Sequence, residues 1–297
     1  MLHKEAKDER PDFPIIEDGI IPRVAAIHDI CGYGAASLGI VLPILSCAGI
    51  NTCPIPTSVL SAHTAFPTYS FYDTTPTLPE FFRTWKELDV LIDGVYTGFL
   101  GSAEQIELII AFCKMYPNAY RIVDPVMGDH GYLYGTYTDA MCEGMKRLVP
   151  LADVLTPNLT EAAILLDRPY SGQAITQEQG QAICQALLDK GAKHVVLKGI
   201  HRDYTIYNAI MGEGIPYKEL SNELHPNSLH GTGDLFASCI TAGLFSGHSL
   251  ESAVKFAADF VYHAICISVG QKDFQDRGVS FEPILGEVVN YCIDHNK

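Results

Sequence analysis

The stretch His230-Gly231-Thr232-Gly233-Asp234-Leu235-Phe236-Ala237-Ser238-Cys239-Ile240 combines a glycine-rich turn with an apolar run. Glycine allows positive φ angles and lets the backbone approach a ligand closely. After the acid, the apolar residues recur at helical spacing and can share one broad face. The stretch therefore predicts a loop at Gly231, Thr232 and Gly233 that opens a buried helix, with Asp234 in the first turn.

The amino end of such a helix favours an anion, because its N–H groups are unpaired and the helix dipole is positive there. An anion-holding loop beside a carboxylate suits phosphoryl transfer. The N–H donors stabilise charge on the moving phosphoryl group, and the carboxylate takes the proton of an attacking hydroxyl. From these residues alone, the alternative is a plain glycine turn with Asp234 as the helix cap.

Composition limits the class of protein. The chain has 297 residues, of which 47% are hydrophobic, so a large α/β core is expected. Against 20 basic residues there are 35 acidic ones, giving a net charge of −15. That charge argues against nucleic acid or an anionic membrane as the main partner. A small anionic ligand remains compatible, because a local nest of N–H groups can hold phosphate.

The nine cysteines are scattered from Cys31 to Cys292 without a Cys-x-x-Cys pair. This pattern predicts reduced, mostly buried thiols in a cytoplasmic protein, and no clustered zinc ligands. The amino terminus lacks the apolar core of a signal peptide, and no apolar run approaches about 18 residues. We therefore expect no membrane-spanning segment.

Short apolar segments alternate with helical patterns along most of the chain. This alternation predicts a mainly parallel sheet covered by helices on both faces. Residues 1–20 are polar and are expected to form an extension, with a single domain over residues 21–297. Residues 28–37 are expected to form a glycine-bearing turn, and residues 212–229 an irregular connection. The predicted strands are residues 24–27, 51–57, 90–93, 120–123, 152–155 and 194–197, with an added strand at 204–211.

Polar residues follow several of these strands or begin the helices after them. A parallel sheet sends such positions to one edge, where open α/β sheets bind ligands. One isolated acid would be an ordinary cap or surface turn, and Asn158 or Thr160 could cap the helix that contains Glu161. As a set they predict a site, and its members are Asp29, Asp124, Asp129, Asn158, Glu161, Lys198 and Asp234.

The chain resembles the ribokinase superfamily of small-molecule kinases, and within it the pyridoxal (vitamin B6) kinase family. The resemblance covers about residues 22–295 and implies a ribokinase-like three-layer α/β/α fold with a small flap over the active site. It is carried by Gly231-Thr232-Gly233-Asp234, Asp124-Pro125-Val126-Met127-Gly128-Asp129, Thr156-Pro157-Asn158-Leu159-Thr160-Glu161 and Phe99-Leu100-Gly101-Ser102-Ala103-Glu104-Gln105.

The resemblance implies a role for each matching residue. Asp234 would be the catalytic base, and Gly231, Thr232 and Gly233 would form the anion hole. Mg²⁺ would be held by Asp124, Asp129 and Glu161, partly through water. Whether a monovalent cation such as K⁺ also assists is left open. The residues expected to contact ATP are Asp124, Asn158, Glu161, Lys198, His225 and Asn227.

On the substrate side, the resemblance points to Asp29, Thr64, Phe99 and Asp234. The chain departs from the family pattern at two of these positions. Asp29 stands where a serine is usual, and it could bind a protonated ring nitrogen or a hydroxyl, or cap the following helix. Phe99 replaces a tyrosine, which keeps the ring but loses a hydroxyl. Residues 58–77 would form the flap that excludes water from the reaction.

These expectations define a cytoplasmic, homodimeric, ATP- and Mg²⁺-dependent kinase. It would phosphorylate the 5′-hydroxymethyl group of pyridoxal, pyridoxine or pyridoxamine. A hydroxymethylpyrimidine kinase of thiamin synthesis is the first alternative, since only the substrate ring differs. A non-catalytic vitamin- or nucleotide-binding protein on the same fold is the second.

Overall fold

A computed structural model describes residue 14 and residues 20–293. The predicted amino-terminal extension, residues 1–20, therefore lies outside the described residues apart from Pro14 and Ile20. Within residues 20–293, no helix is both long enough and apolar enough to cross a bilayer.

Strands and helices alternate through most of the described chain. The strands are β1 (Arg23–Cys31), β2 (Asn51–Leu60), β3 (Phe71–Asp73), β4 (Gly94–Thr97), β5 (Tyr120–Val123), β6 (Gly128–Asp129), β7 (Tyr132–Leu133), β8 (Val154–Leu155), β9 (His194–Arg202), β10 (Thr205–Gly212) and β11 (Ile215–Glu223). The helices are α1 (Leu38–Cys47), α2 (Leu78–Glu87), α3 (Ala103–Met115), α4 (Asp139–Lys146), α5 (Leu159–Leu165), α6 (Gln177–Asp189), α7 (Thr232–Phe245), α8 (Leu250–Ser268), α9 (Phe274–Arg277) and α10 (Leu285–Ile293).

The main sheet has nine strands in the order β11-β10-β9-β8-β5-β4-β1-β2-β3. From β9 to β2 along this order, neighbouring strands run parallel. Antiparallel strands flank this centre, with β10 and β11 on one side and β3 on the other. The predicted α/β class and mainly parallel sheet are confirmed. The carboxyl ends of the parallel strands meet at one edge, where the polar residues were expected.

Apolar side chains fill both faces of the sheet. Strand β1 shows this directly, because Ala25 and Ile27 belong to one buried cluster while Val24 and Ala26 belong to the other. That division follows from the alternation of side chains along a strand. Helices α2 to α6 cover the first face, and α1, α7, α8 and α10 cover the second.

Strand β1 is longer than expected. The turn predicted at residues 28–37 is wrong over its first residues, because β1 continues to Cys31. Its partner β2 also continues, pairing Ile30 with Val59 and Cys31 with Leu60. This longer pairing places Asp29 inside the sheet rather than in a loop after it. The same extension shortens the predicted flap, since residues 58–60 belong to β2 and residues 71–73 form β3.

Two other predictions of local structure fail, one of a strand and one of an irregular connection. Residues 90–93 are not a strand, because the N–H of Val90 bonds back to Trp85 and closes the end of α2. Pairing with β1 begins only at Gly94. Residues 212–229 are not wholly irregular, because β11 occupies part of them as an edge strand. Its partly buried residues alternate with exposed ones, so it carries no continuous apolar run.

All nine cysteines are free thiols. Five are buried, including Cys113, Cys184 and Cys239, as expected. Cys266 is exposed, because it lies outside the face of α8 that carries the buried residues Ala257, Phe260 and Ala264.

Candidate active site

One cavity of about 800 Å³ lies at the carboxyl edge of the parallel strands. Strands β5 and β9 reach it, and helices α5 and α7 begin there. Three substrate-side candidates, Asp29, Thr64 and Phe99, do not line it. The predicted residues that do are Asp124, Asp129, Asn158, Glu161, Lys198, His225, Asn227, Gly231, Thr232, Gly233 and Asp234.

The glycine loop begins helix α7 as the sequence predicts. Gly231 has a φ of 85°, and a Cβ atom at this position would lie 2.4 Å from the carbonyl oxygen of Ala35. Only glycine fits both the angle and this close approach. The carbonyl of Gly231 accepts the first helical bond, from Leu235 at 2.9 Å. The hydroxyl of Thr232 donates to the carbonyl of Leu229 at 3.0 Å, which fixes the loop from its other side.

Asp234 stands in the first turn of α7 and is partly buried. Its Oδ2 accepts the backbone N–H of Ser37 at 2.8 Å. Burial raises the pKa of Asp234 to about 7; the Ser37 N–H opposes this rise, and the charges of Asp124 and Asp29 add to it. The carboxyl group therefore titrates close to neutral pH, where a general base is most effective.

Asp124 follows β5 and is 1% exposed. Its Oδ1 accepts hydrogen bonds from the ammonium group of Lys198 at 2.6 Å and from the hydroxyl of Thr156 at 2.9 Å. Within the described residues, its buried Oδ2 has no hydrogen-bond partner. Burial lowers the pKa of Lys198, but the nearby acids Asp124, Glu161 and Asp234 together raise it above its usual value. Lys198 is therefore held as a cation inside a cluster of acids.

Asn158 and Glu161 form a capping box at the start of α5. The side chain of Asn158 accepts the N–H of Glu161 at 2.9 Å, and Glu161 accepts the N–H of Asn158 at 2.7 Å. Asn158, rather than Thr160, is thus the cap. Burial raises the pKa of Glu161 to about 8; Lys198 opposes this rise and Asp124 adds to it.

The acids suit a loosely coordinated Mg²⁺ better than a caged metal ion. Among residues 20–293, no group of three or more His, Cys, Asp or Glu side chains is close enough to hold a metal by itself. Mg²⁺ usually keeps several waters and binds one or two carboxylates together with phosphate oxygens. The unpartnered oxygen of Asp124, with Asp129 and Glu161 on the same cavity, fits that donor set.

The cavity is lined by apolar as well as polar residues. His225 and Asn227 are among the polar ones, and the N–H of Asn227 donates to the ring of His225 at 3.1 Å. Sequence reasoning missed the apolar wall, because which face of α8 points inward is decided only by packing. Its residues are Phe236, Ala258, Val261 and Ile265.

Three of the four substrate-side candidates do not line this cavity. Asp29 is 5% exposed, and both of its oxygens have partners within the chain: the hydroxyl of Ser37 and the thiol of Cys31. Phe99 is 8% exposed and packs edge-on against Tyr137. Thr64 is exposed in the loop between β2 and β3. Contact of these residues with a substrate remains a prediction.

Ser37 is a site residue that sequence reasoning missed. It precedes α1, where a serine normally caps the helix, but its side chain makes no capping bond. Its backbone has φ 48° and ψ −127°, a conformation that non-glycine residues rarely adopt. Its N–H reaches Asp234 and its hydroxyl reaches Asp29. No local pattern signals these contacts, since Ser37 and Asp234 are 197 residues apart.

The sheet is mainly parallel, a glycine loop begins helix α7, and Asp234 shares one cavity with further acids and a lysine. Together these features define a ribokinase-like phosphotransferase. The chain belongs to the phosphomethylpyrimidine kinase family, whose sequence profile matches residues 51–275.

Relatives of this chain divide between two vitamin pathways. A hydroxymethylpyrimidine/phosphomethylpyrimidine kinase from Haemophilus influenzae is 33% identical over 230 residues, covering 72% of this chain and 82% of the relative. A Bacteroides thetaiotaomicron protein, provisionally named a phosphomethylpyrimidine kinase and solved with pyridoxal, is 36% identical. Its TM-score is 0.87, over 91% of this chain and 96% of that one.

A pyridoxal kinase from Staphylococcus aureus, solved with AMP-PCP and pyridoxal, is 26% identical. Its TM-score is 0.71, over 83% of this chain and 88% of that one. The family and the phosphotransferase class are therefore shown, while the substrate ring is not decided by similarity.

Proposed function

We propose that the protein transfers the γ-phosphoryl group of ATP to the 5′-hydroxymethyl group of pyridoxal, pyridoxine or pyridoxamine. One observation carries this proposal. Asp234, at the start of a buried helix, shares one cavity with Asp124, Glu161 and Lys198. That arrangement supplies a base, phosphate-side charges and N–H donors in a single pocket.

In the proposed reaction, the alcohol oxygen forms a bond to the γ-phosphorus as its proton passes to Asp234. The bond between the γ-phosphorus and the bridging oxygen of ADP breaks. The N–H groups at Gly231, Thr232 and Gly233 face the charge that builds on the transferred group. Lys198 lies close to this loop, since a Cβ on Gly233 would be 3.8 Å from its Nζ.

Mg²⁺, when bound, would neutralise negative charge on the phosphates of ATP. Asp124, Asp129 and Glu161 are the residues that would hold it, partly through water. Asn158 keeps Glu161 in place through the capping box and also donates to the carbonyl of Gly128 at 2.8 Å. His225 and Asn227 would border the adenosine part of ATP.

The vitamin B6 assignment is supported by the pyridoxal present in the Bacteroides and Staphylococcus structures. A second candidate is hydroxymethylpyrimidine kinase activity, supported by the family profile and the Haemophilus relative. A non-catalytic binding protein is a weaker candidate, because mere binding has no use for a base held near neutral pKa.

A side-by-side assay tests the proposal. The purified protein is given ATP and Mg²⁺ with each of the three vitamers and with hydroxymethylpyrimidine, and ADP release is measured. We expect the highest kcat/KM for a B6 vitamer. Faster turnover of hydroxymethylpyrimidine would overturn the vitamin assignment. Binding of ATP without transfer to any alcohol would overturn the kinase proposal.

We also propose that the protein is a homodimer that pairs through the β3 edge of the sheet. All three residues of β3 are exposed, and Tyr72 is 71% exposed opposite Val59, which is 46% exposed. Exposed apolar residues on an unpaired edge strand favour association with another chain.

A further inference from the structure

Ser37 contacts two acids at once. Its N–H donates to Oδ2 of Asp234 at 2.8 Å, and its hydroxyl donates to Oδ1 of Asp29. Within the described residues, no hydrogen bond reaches the other oxygen of Asp234. The Ser37 contact therefore holds one oxygen of the proposed base and leaves the second oxygen for a substrate hydroxyl.

The backbone of Ser37 is in an unusual conformation, in which both its N–H and its hydroxyl reach an acid. A residue other than glycine rarely has φ near 48° with ψ near −127°. Such conformations persist where surrounding contacts enforce them, and they often occur at functional sites. The usual reason for a serine at this place is absent, because its side chain does not cap α1.

The loop before Ser37 is fixed against the anion-hole loop. The N–H of Ala35 donates to the carbonyl of Arg277 at 2.8 Å. The carbonyl of Ala35 occupies the space that a Cβ on Gly231 would fill. Ser37 thus belongs to a rigid support beside the start of α7, and its amide is aimed by that support.

We propose that Ser37 is a positioning residue, which orients the carboxylate of Asp234 through its amide while buried Asp29 holds it in place through the hydroxyl. This inference rests on the proposed function, because it assigns a purpose to Asp234 as the base. It also gives Asp29 an indirect role beside the ring contact expected from the sequence. Asp29 acts through Ser37, because the hydroxyl of Ser37 donates to its Oδ1.

Replacing the hydroxyl tests the inference. In Ser37→Ala the hydroxyl contact with Asp29 is lost, so the strained backbone is held less firmly and the amide is aimed less accurately at Asp234. We expect kcat to fall roughly 10- to 100-fold, the loss typical of a misplaced catalytic group, with the KM for ATP unchanged. Ser37→Gly should recover part of kcat, because glycine adopts this conformation without strain. Equal kcat values for Ser37→Ala and wild type would overturn the inference.

A double variant tests the link to Asp29. Asp29→Ala should lower kcat to a similar degree, and Ser37→Ala combined with Asp29→Ala should be no slower than the slower single variant. Residues that act as one unit show this non-additivity. If the fold-decrease in kcat of the double variant equals the product of the two single decreases, the link is contradicted. Ser37→Gly keeps the inference testable if Asp29→Ala does not fold.

Two further variants separate this inference from the proposed function. Ser238→Ala removes another buried serine hydroxyl, one turn further along α7. This hydroxyl contacts the hydroxyl of Tyr96 and no carboxylate. It should keep wild-type kcat. Asp234→Asn is measured in parallel. An active Asp234→Asn would overturn the proposed base, whereas an inactive Asp234→Asn beside a fully active Ser37→Ala would overturn the positioning role alone.

Discussion

Opposing effects act on the carboxylate of Asp234. Loss of hydration and the charges of Asp124 and Asp29 raise its pKa, while the Ser37 N–H and Lys198 lower it. The balance near 7 suits a group that must accept a proton at neutral pH and release it afterwards. An exposed aspartate would remain ionised at this pH, but it would be a weaker base.

Asp234→Asn tests the base directly. Asparagine keeps the size of the side chain but cannot accept the proton, so kcat should fall by about 10² to 10⁴. The thermal unfolding midpoint, measured by circular dichroism, should stay within a few degrees of wild type. Asp139→Asn, an exposed acid in the first turn of α4, is the matched control and should remain fully active. Near wild-type turnover in Asp234→Asn would reject the base.

The raised pKa predicts a pH dependence. Below about pH 7, Asp234 is increasingly protonated and cannot act as a base, so kcat/KM for the alcohol should fall as the pH drops. Asp29→Asn removes a negative charge that raises the pKa of Asp234. The fall in kcat/KM of this variant at low pH should therefore occur at a lower pH than in wild type. Initial rates from pH 5 to 9 at saturating ATP measure both curves. An identical limb in the two proteins would contradict this electrostatic link.

At the scale of the elements, the start of α7 works because it packs closely against the loop before α1. The missing Cβ of Gly231 allows the Ala35 carbonyl to approach, and the same loop presents Ser37 to Asp234. One glycine thus serves the helix start, the loop contact and the placement of the base. A substitution there should disturb all of them together.

Gly231→Ala and Gly214→Ala separate backbone strain from steric clash. Both glycines have positive φ, but a Cβ on Gly214 meets nothing within 4 Å, whereas one on Gly231 lies 2.4 Å from a carbonyl oxygen. Each should lose about 1–2 kcal/mol of unfolding free energy to strain. Gly231→Ala should lose about 1–3 kcal/mol more to overpacking, together with kinase activity. Urea unfolding gives both values, and equal losses would refute the clash.

For the whole molecule, the proposed activity requires an acidic protein to bind an anionic nucleotide. The chain carries a net charge of −15, yet the cavity brings together Lys198, the glycine loop at the start of α7 and the acids proposed to hold Mg²⁺. Local arrangement therefore outweighs net charge at this site. Mg²⁺ dependence should be strong, because several acids line the cavity in which the phosphates of ATP are proposed to bind.

Ligand binding should stabilise the fold in a Mg²⁺-dependent way. A ligand at 100 times its Kd adds about 2.7 kcal/mol to stability. The thermal unfolding midpoint should therefore rise with ATP and Mg²⁺, and rise much less with ATP and EDTA. Asp124→Asn should lose most of the Mg²⁺-dependent part of the rise. An unchanged Mg²⁺ effect in this variant would exclude Asp124 from the metal site.

The proposed dimer is tested at its edge strand. Tyr72→Asp places a charge on the exposed face of β3 and should convert the dimer to a monomer in sedimentation equilibrium. Tyr204→Asp is the matched control, because Tyr204 is 88% exposed at the turn between β9 and β10, at the opposite side of the sheet. It should leave the assembly unchanged. A wild-type protein that sediments as a monomer would refute the dimer itself.

Local signals in the sequence were sufficient for the α/β class and the helix that follows Gly231, and they limited the cap of α5 to Asn158 or Thr160, of which the structure shows Asn158. Periodicity, glycine at positive φ and capping act within a few residues, so they can be read directly along the chain. The rule that parallel strands end at one edge also brought Asp124, Glu161, Lys198 and Asp234 together. Their grouping in one cavity agrees with that reasoning.

The tertiary structure alone decided the rest. The length of β1 depends on how far β2 runs beside it, and the edge strand β11 has too little apolar surface to show in the sequence. The contact of Ser37 with Asp234 joins residues 197 apart, and it depends on the packing of two loops. Such contacts are set by the whole fold, because no local pattern specifies which distant groups will meet.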